Sequence, residues 1–550
     1  MGYISEEIVV AKTLCAHTGA ATTDGGSAMS ADEKMSPTSG SSPAVTAVMA
    51  VLGAALLAKI IVGVARWLRM YWCLRNAPHP EQRWPFSLAF DMWQSLAKMD
   101  PNMKVTAKIF NYFNRMFKTI YDQEVTVAYY GPQPFLIATT PKAIEVLLTN
   151  SQNLNKAFLY DMMKPWIGHG ILMIEKDKWR SRRKVITPAF HFRVLDDYAP
   201  IMNRRAREMV RRLDAVGTDF FDVLPIVRLA AFGILFETAL GVQIDEAEVQ
   251  RMRLLEINDE IGASVIARML NLVHWSDIIY SMSQASKDFK RNIKFIHEYN
   301  RKIVKQRLAE YKVGKVKADS KKSFLDILLH MHMVDGTLTE EEVRNEVTSI
   351  FIGGFETTAS SIAFTLFLLG NHPEVQAKVH EEIDSIFAED MERDVTIEDM
   401  KQLKYMECVV KESMRIYPPV PLIARNVDED MQVGEYTVPR GAVAVAAIYF
   451  IQRHPKYYQN PDTFLPERFL DTKEKNPFLY IPFSGGFRNC IGQRFANLEE
   501  KILLTQIMRR FTVTSKLRMD QLQLSIEVVL KAIQGIEIKI QPRNKTKEKI

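Results

Sequence analysis

The hydrophobic and polar positions of this chain change texture along its length, and five stretches stand out. Residues 1–43 are poor in large apolar side chains and rich in Ser, Thr, Gly and Ala, so burial cannot repay the entropy of ordering and a disordered leader is expected. From Ala44 to Ala65 the only charge is Lys59. At 1.5 Å per residue this run is long enough to cross a hydrocarbon core of about 30 Å, with a buried globular helix as the alternative. Residues 66–85 are basic, and Pro78, Pro80 and Pro85 make a connector that cannot continue a helix. Residues 86–543 carry a mostly helical period with no linker, and 544–550 read as a polar tail.

Inside the large region, Thr339 and Glu342 form a capping-box signal. They open a long helix whose apolar face is Ala359, Ile362, Ala363, Leu366 and Phe367 and which ends near Gly370 and Pro373. Short strands concentrate near Glu124–Thr139 and in the Ile423–Val445 region, and no solenoid repeat appears. Lys312–Lys322, with five lysines, reads as a solvated loop. The expectation is a mainly α protein: one large helical catalytic domain with small β-sheets, preceded by a single N-terminal transmembrane helix.

Composition narrows the class. Hydrophobic residues at 47% and charged ones at 25% suit a globular core with a solvated surface, and a net charge of +6 is too mild to argue for nucleic acid. Cys15, Cys73, Cys408 and Cys490 are too few and scattered for a disulfide framework and suit a reducing compartment. Glu6, Glu7, Asp24, Asp32 and Glu33 precede the apolar run while Arg66, Arg69, Arg75 and Arg83 follow it. The positive-inside rule then puts the large domain in the cytosol. The leader fits neither a cleaved secretory signal nor a mitochondrial presequence, and initiation at Met35 would leave a short lumenal tail. Cys73 beside the membrane is either palmitoylated or an unmodified interfacial thiol.

Candidate chemistry centres on Phe483-Ser-Gly-Gly-Phe-Arg-Asn-Cys-Ile-Gly492, where Cys490 sits on a glycine-tight turn. Gly485 and Gly486 let the backbone pass close to a flat ligand, and Phe483 can cover the sulfur. Leu503, Leu504, Ile507, Met508 and Phe511 then recur at helical spacing, so Cys490 lies near a helix start, with Arg488 two residues before it. A helix start and a nearby cation both favour thiolate. These ten residues fill the F-x-x-G-x-R-x-C-x-G pattern, and here the chain resembles the cytochrome P450 monooxygenases. The resemblance implies that fold, a haem b with Cys490 as the iron's thiolate ligand, and Phe483, Arg488, Gly486 and Gly492 around it. A thiolate pushes electron density to iron and favours O–O cleavage.

Four further motifs follow in the family order. Gly353-Gly-Phe-Glu-Thr-Thr358 puts two glycines in a helix at a cost of roughly 1 kcal/mol each relative to alanine. The resemblance makes Glu356 and Thr357 the catalytic acid–alcohol pair, Glu356 relaying protons and Thr357 donating a hydrogen bond at the oxygen-binding face; a plain helix kink is the bland alternative. Glu412-Ser-Met-Arg415 and Arg468 of Pro466-Glu-Arg-Phe469 would interlock as a structural core beneath the haem. Trp179 and Arg183, at i, i+4 on a basic helix, would bind propionates with Arg488 and Arg425. Arg180, Arg182 and Lys184 are a solvated basic face or a docking surface for an acidic flavoprotein. Thr187-Pro-Ala-Phe-His-Phe192 and Arg453-His-Pro-Lys-Tyr-Tyr458 further resemble the family-four branch, whose animal members hydroxylate fatty acids at or near the terminal carbon; His191 reads as a structural histidine.

Many members of that branch carry a haem-esterifying glutamate where this chain has Gly353, so noncovalent haem and more room over the ring are expected. Ile350, Phe351, Phe355, Val420, Leu422 and Ile423 suggest an apolar substrate pocket or plain core. Fatty acids or related lipids come first as substrates, then foreign lipophiles, then terpenoid or steroid hormones. With no G-x-G-x-x-G after a strand, electrons must come from a partner. An NADPH-dependent flavoprotein reductase of the endoplasmic reticulum membrane is expected, with a cytochrome b-type carrier as a further candidate, and a ferredoxin-driven mitochondrial enzyme is the alternative. A haem sensor or carrier without turnover and a lipid-hydroperoxide isomerase remain readings from other classes, both opposed by the retained acid–alcohol pair.

Overall fold

The computed structural model describes residues 43–80, 86–190, 196–244, 246–313, 323–388, 390–470 and 476–543. The leader at 1–42, Arg83, Pro85, His191, Phe192, the 314–322 part of the lysine-rich loop and the 544–550 tail lie outside them. The apolar run forms helix α1, Pro43–Leu74, with the side chains of residues 44–66 exposed. An apolar helix with a mean hydropathy of 2.4 and no protein burial fits a lipid surrounding. It continues past Ala65 because no proline or glycine interrupts residues 66–74, so the start of the expected connector is helical. The chain up to Gly63 is one unit and Val64–Ile550 another.

In the second unit, β1 (Val125–Tyr130), β2 (Gln133–Ala138), β3 (Phe221–Asp222), β4 (Ile423–Asn426), β5 (Met431–Val433), β6 (Tyr436–Val438) and β7 (Val443–Ala446) precede a C-terminal group. That group is β8 (Phe511–Ser515), β9 (Leu524–Ile526), β10 (Leu530–Ala532) and β11 (Glu537–Pro542), outside both regions where strands are expected from sequence. Phe511 and Val513 on β8 and Ile538 and Ile540 on β11 alternate inward, a two-residue period too brief to stand out in the chain. The sheet orders are β1-β2-β7-β4, β3-β11-β8, β9-β10 and β5-β6. β1 and β2 are antiparallel with Val125 opposite Ala138, and β2 runs parallel to β7.

The helices that position the site are α2 (Lys176–Ile186), α3 (Leu224–Leu235), α4 (Leu254–Leu270), α5 (Glu340–Gly354), α6 (Glu356–Asn371), α7 (Lys404–Ile416) and α8 (Gln493–Met508). The Thr339 capping box is present: Glu342 N donates to Thr339 Oγ1 at 3.2 Å and Thr339 N to Glu342 Oε2 at 3.0 Å. The long helix expected from sequence is interrupted at Phe355, where φ is −102°. Thr357 Oγ1 donates to Gly353 O at 3.0 Å and Thr358 Oγ1 to Gly354 O at 3.3 Å, so hydroxyls and backbone compete for the same carbonyls just where two glycines weaken the helix. Beyond the break, α6 is core on nearly every side: Ala359, Ile362, Ala363 and Leu366 are fully buried.

The two glycines have different neighbours. A Cβ on Gly354 would lie 2.7 Å from Leu235 Cδ1, whereas one on Gly353 would meet nothing within 4 Å. Gly354→Ala should therefore cost about 1–3 kcal/mol through overpacking, and Gly353→Ala should be neutral or stabilising by up to about 1 kcal/mol. Chemical denaturation of the two variants checks the contrast; equal losses would contradict it.

Candidate functional site

The Cys490 loop is closed by its own backbone. Cys490 N donates to Phe483 O at 2.9 Å, and Ser484 and Gly486 take φ of +62° and +65°. A Cβ on Gly486 would collide with Leu148 O, so glycine lets the loop press against that backbone. The loop runs into α8, with Gly492 as its N-cap. Cys490 is open, and what it faces is a cavity of about 580 Å³. Protein encloses the thiol otherwise, and burial pushes its pKa up more than the Gly492 amide, Arg183 and the Gln493 amide pull it down. The cation beside the sulfur is thus Arg183, whereas the sequence pointed to Arg488.

The cavity collects most of the predicted residues. The α5–α6 junction contributes Ile350, Gly353, Gly354 and Thr357, and the segment after α7 contributes Val420, Leu422, Ile423 and Arg425. Trp179 and Arg183 come from α2, and Phe483, Arg488, Cys490 and Gly492 from the loop. Phe351 and Phe355 do not line it and are a correction to the expected pocket. Phe351 on α5 and Phe355 at the break point away from it, where Phe232 lies 5.5 and 5.4 Å from their ring centres, and they are core. Gly486 supports the loop from outside the cavity lining, and the Glu356 carboxylate accepts from Arg228 Nε at 2.8 Å.

One part of the cavity wall is positively charged. Arg425 is 3% exposed, and among the described residues its guanidinium bonds only to Ala424 O at 3.3 Å. Arg488 lies 4.8 Å from the Trp179 ring and donates through Nη2 to Ile174 O, leaving Nε and Nη1 buried without a partner. Lys156, bridged to Arg425 and 5.0 Å from the Tyr160 ring, is a third cation that sequence reading missed; nothing in a lone lysine signals it. Among the described residues no acid forms an ion pair with any of the three. Burial, then Arg425 and Arg488, hold the Lys156 pKa well below its usual value, and burial followed by Arg425 lowers that of Arg488 to about 9. Arg183 is differently engaged, its fork donating to Asn489 O and Oδ1 at 2.9 Å each. Two haem propionates would supply the anions this wall lacks, and the thiol facing the same cavity fits an iron ligand.

Glu412, Arg415 and Arg468 come together at the end of α7. Arg415 donates from Nε and Nη2 to the Glu412 carboxylate at 2.7 and 2.8 Å, and from Nη1 to Gln452 O and Pro461 O. Arg468 Nε and Leu465 N donate to Glu412 Oε1 at 3.2 and 3.0 Å. The carboxylate is fully buried yet well supplied with donors, as burial requires. A second acidic feature escaped notice: Glu499 and Glu500, adjacent on the buried face of α8, near Thr358 and Ser361. Burial raises both pKa values, that of Glu500 to about 7. Two acids inside an apolar helix were the available signal.

The sequence profile described as Cytochrome P450 matches residues 92–540. The chain is 34% identical to cytochrome P450 4V2 of Mus musculus over 510 residues, covering 90% of this chain and 95% of that protein. It is 36% identical to cytochrome P450 4V2 of Homo sapiens over 428 residues, 75% of this chain and 81% of that protein. Cytochrome P450 4c3 of Drosophila melanogaster is 35% identical over 436 residues, again 75% and 81%.

Two stability effects follow. Removing one partner of the buried pair, as in Glu412→Ala, should cost about 3–5 kcal/mol and abolish haem incorporation, read by denaturation and the visible spectrum. Lys156→Met should act in opposite directions on two states. The lowered lysine pKa means that the unfolded haem-free chain binds the proton more tightly, so the native lysine costs stability below its lowered pKa and the cost fades as pH rises toward the unfolded value. Haem-depleted Lys156→Met should therefore be more stable than wild type at neutral pH, with the gap closing in alkali, while the haem-loaded variant loses haem faster to a scavenger protein.

Proposed function

Because this chain belongs to the cytochrome P450 family, as a family-four monooxygenase with haem iron and electron supply from a reductase, we propose that it hydroxylates a fatty acid or related lipid at the endoplasmic reticulum membrane. The observation that carries the substrate class is the wall of the Cys490 cavity. Away from Lys156, Arg425 and Arg488 it is built from side chains such as Met92, Ile109, Phe113, Ile137 and Met269, which offer a long aliphatic chain contact and few competing hydrogen bonds. Foreign lipophiles and hormones are the alternative substrates.

Haem iron, when bound, supplies oxygen activation, with the Cys490 thiolate as its electron-donating ligand. The chain's own residues do the rest. Lys156, Arg425 and Arg488, with Trp179 stacked on Arg488, hold the propionates, and Arg183 fixes the Cys490 loop through Asn489. Thr357, open to the cavity, would exchange its bond to Gly353 O for one directed into the cavity, and Glu356 would hold a proton behind it. Gly353 faces open space and has no carboxylate, which supports noncovalent haem. The basic residues after the apolar run 44–65 support a cytosolic catalytic domain served by an NADPH-dependent flavoprotein reductase.

Purified protein incubated with that reductase, NADPH, oxygen-18 gas and a fatty-acid panel should yield singly labelled hydroxy acids by mass spectrometry. Cys490→Ser should abolish them, and Thr357→Ala should consume NADPH with roughly tenfold less product. Unlabelled panels with continued NADPH consumption would move the substrate to other lipophiles; denaturing acid extraction that leaves haem on the polypeptide would overturn noncovalent binding.

A further inference from the structure

Arg182 belongs to the basic run of α2 that is expected from sequence to be solvated or a docking surface, and the fold turns it inward. Its side chain is 14% exposed and forks onto α5, Nη1 donating to Glu346 Oε1 and Nη2 to Glu342 Oε1, both at 2.8 Å. Glu346 is fully buried, and its other oxygen, Oε2, accepts from the Ile171 amide at 2.8 Å. One carboxylate thus joins α5, α2 and the segment from Gly168 to Ile174. Arg183, the next residue of α2, turns instead to Asn489 of the Cys490 loop.

Arg182, Glu342 and Glu346 lie outside the lining of the Cys490 cavity, but what they hold lines it. Glu346 stands one turn before Ser349 and Ile350 and two before Gly353 on one face of α5, and those three residues line the cavity. Ile171 and Leu172 line it from the 168–174 segment. That segment is pressed on α5 with no side chain of its glycines between: a Cβ on Gly170 would lie 2.3 Å from Ser349 Oγ and 2.4 Å from Asn345 O, and one on Gly168 would lie 2.3 Å from Asn345 Oδ1. Its far end is fixed by Arg488, which donates to Ile174 O. Between these supports Met173 N and Ile174 N close a turn on Gly170 O, and among the described residues the Ile171 amide has Glu346 as its only partner.

We propose that Arg182 and Glu346 are positioning residues for this wall: by clasping the 168–174 segment to α5 they hold Ile171 and Leu172 in place and limit how bulky an occupant the cavity takes. The physical reason is the number of acceptors. Arg182 and the Ile171 amide use different oxygens of one carboxylate, and both bonds are charge-assisted. Glutamine has the same size but a single acceptor, so it satisfies one of these donors and meets the other with a donor of its own. A wall without its central bond moves away from α5, and separating two elements that both line a cavity enlarges it. The inference needs haem in the Cys490 cavity and holds for any lipophilic substrate.

The test uses the full haem-loaded chain at about pH 8, where Glu346 is charged, since burial raises its pKa to about 7 against the pull of the Ile171 amide and Arg182. Slim n-octyl isocyanide and bulky adamantyl isocyanide bind haem iron through carbon, change its visible spectrum and do not titrate. Glu346→Gln should lower the ratio of the adamantyl to the octyl dissociation constant by about tenfold, and Gly170→Ala, which wedges the same segment from α5, should lower it too. Glu342→Gln keeps a capping-box residue and the Ile171 bond, and should leave the ratio within about twofold of wild type. A merely structural role would reduce the haem-loaded fraction without altering the ratio among loaded molecules. An unchanged ratio in Glu346→Gln overturns the proposal; should that variant take up no haem, Gly170→Ala decides in the same way. A shift in Glu342→Gln as large as that in Glu346→Gln also overturns it, because the effect then belongs to the start of α5. No spectral change with either probe in the wild-type chain would overturn the haem site itself, and the clasp's role with it.

Discussion

Positive charge on a cavity wall, with no acid among the described residues in an ion pair with it, is the constraint around which this structure is arranged. Lys156, Arg425 and Arg488 come from the loop before α2, from β4 and from the Cys490 loop, three places far apart in the chain. All three are desolvated, Arg425 and Arg488 repel Lys156, and Arg425 repels Arg488. Apolar packing elsewhere holds them in place, and an anionic cofactor bound there would tie the three segments together.

Packing that can carry such strain is visible beneath the site. The Glu412 carboxylate gathers Arg415, Arg468 and the Leu465 amide, and Arg415 passes on to the carbonyls of Gln452, Pro461 and Thr463. An irregular stretch, rich in orphan carbonyls, is thereby bound to α7 instead of to water. α6 supplies the apolar half of the support, and Ser360 Oγ donates to Leu530 O at 3.2 Å, fixing the β9–β10 hairpin to the same helix that carries Glu356 and Thr357. On the other side of the cavity the hairpin meets α4 through the Lys531–Asp259 pair at 2.7 Å.

Much of the site was legible because its residues are adjacent in sequence or at helical spacing. Cys490 with its glycines, Glu356 with Thr357, Glu412 with Arg415 and Trp179 with Arg183 each lie within one turn or loop, where local geometry determines how near two side chains come. Misreadings arose where the face of a helix had to be chosen. Ile350 and Phe351 are neighbours in the chain, yet a step of about 100° sends one to the cavity and the other into the Phe232–Phe236 cluster. The break at Phe355 was foreshadowed by its glycines, and strands β8 to β11 were hidden by their brevity.

The chain by itself determined a mainly helical domain after an apolar span and a cysteine on a glycine-tight turn, since these are properties of composition, period and local spacing, while the acid–alcohol pair and the motif order came from resemblance to the haem-thiolate family. Only tertiary structure decided that Arg183, and not Arg488, stands by the sulfur, that Lys156 joins the cation wall, and that Arg228, Asp259 and Lys531 surround Glu356. Electrostatic fields fall off with distance through space, not along the chain, and the more than 270 residues between Asp259 and Lys531 are crossed at 2.7 Å only once the helix and the hairpin have packed.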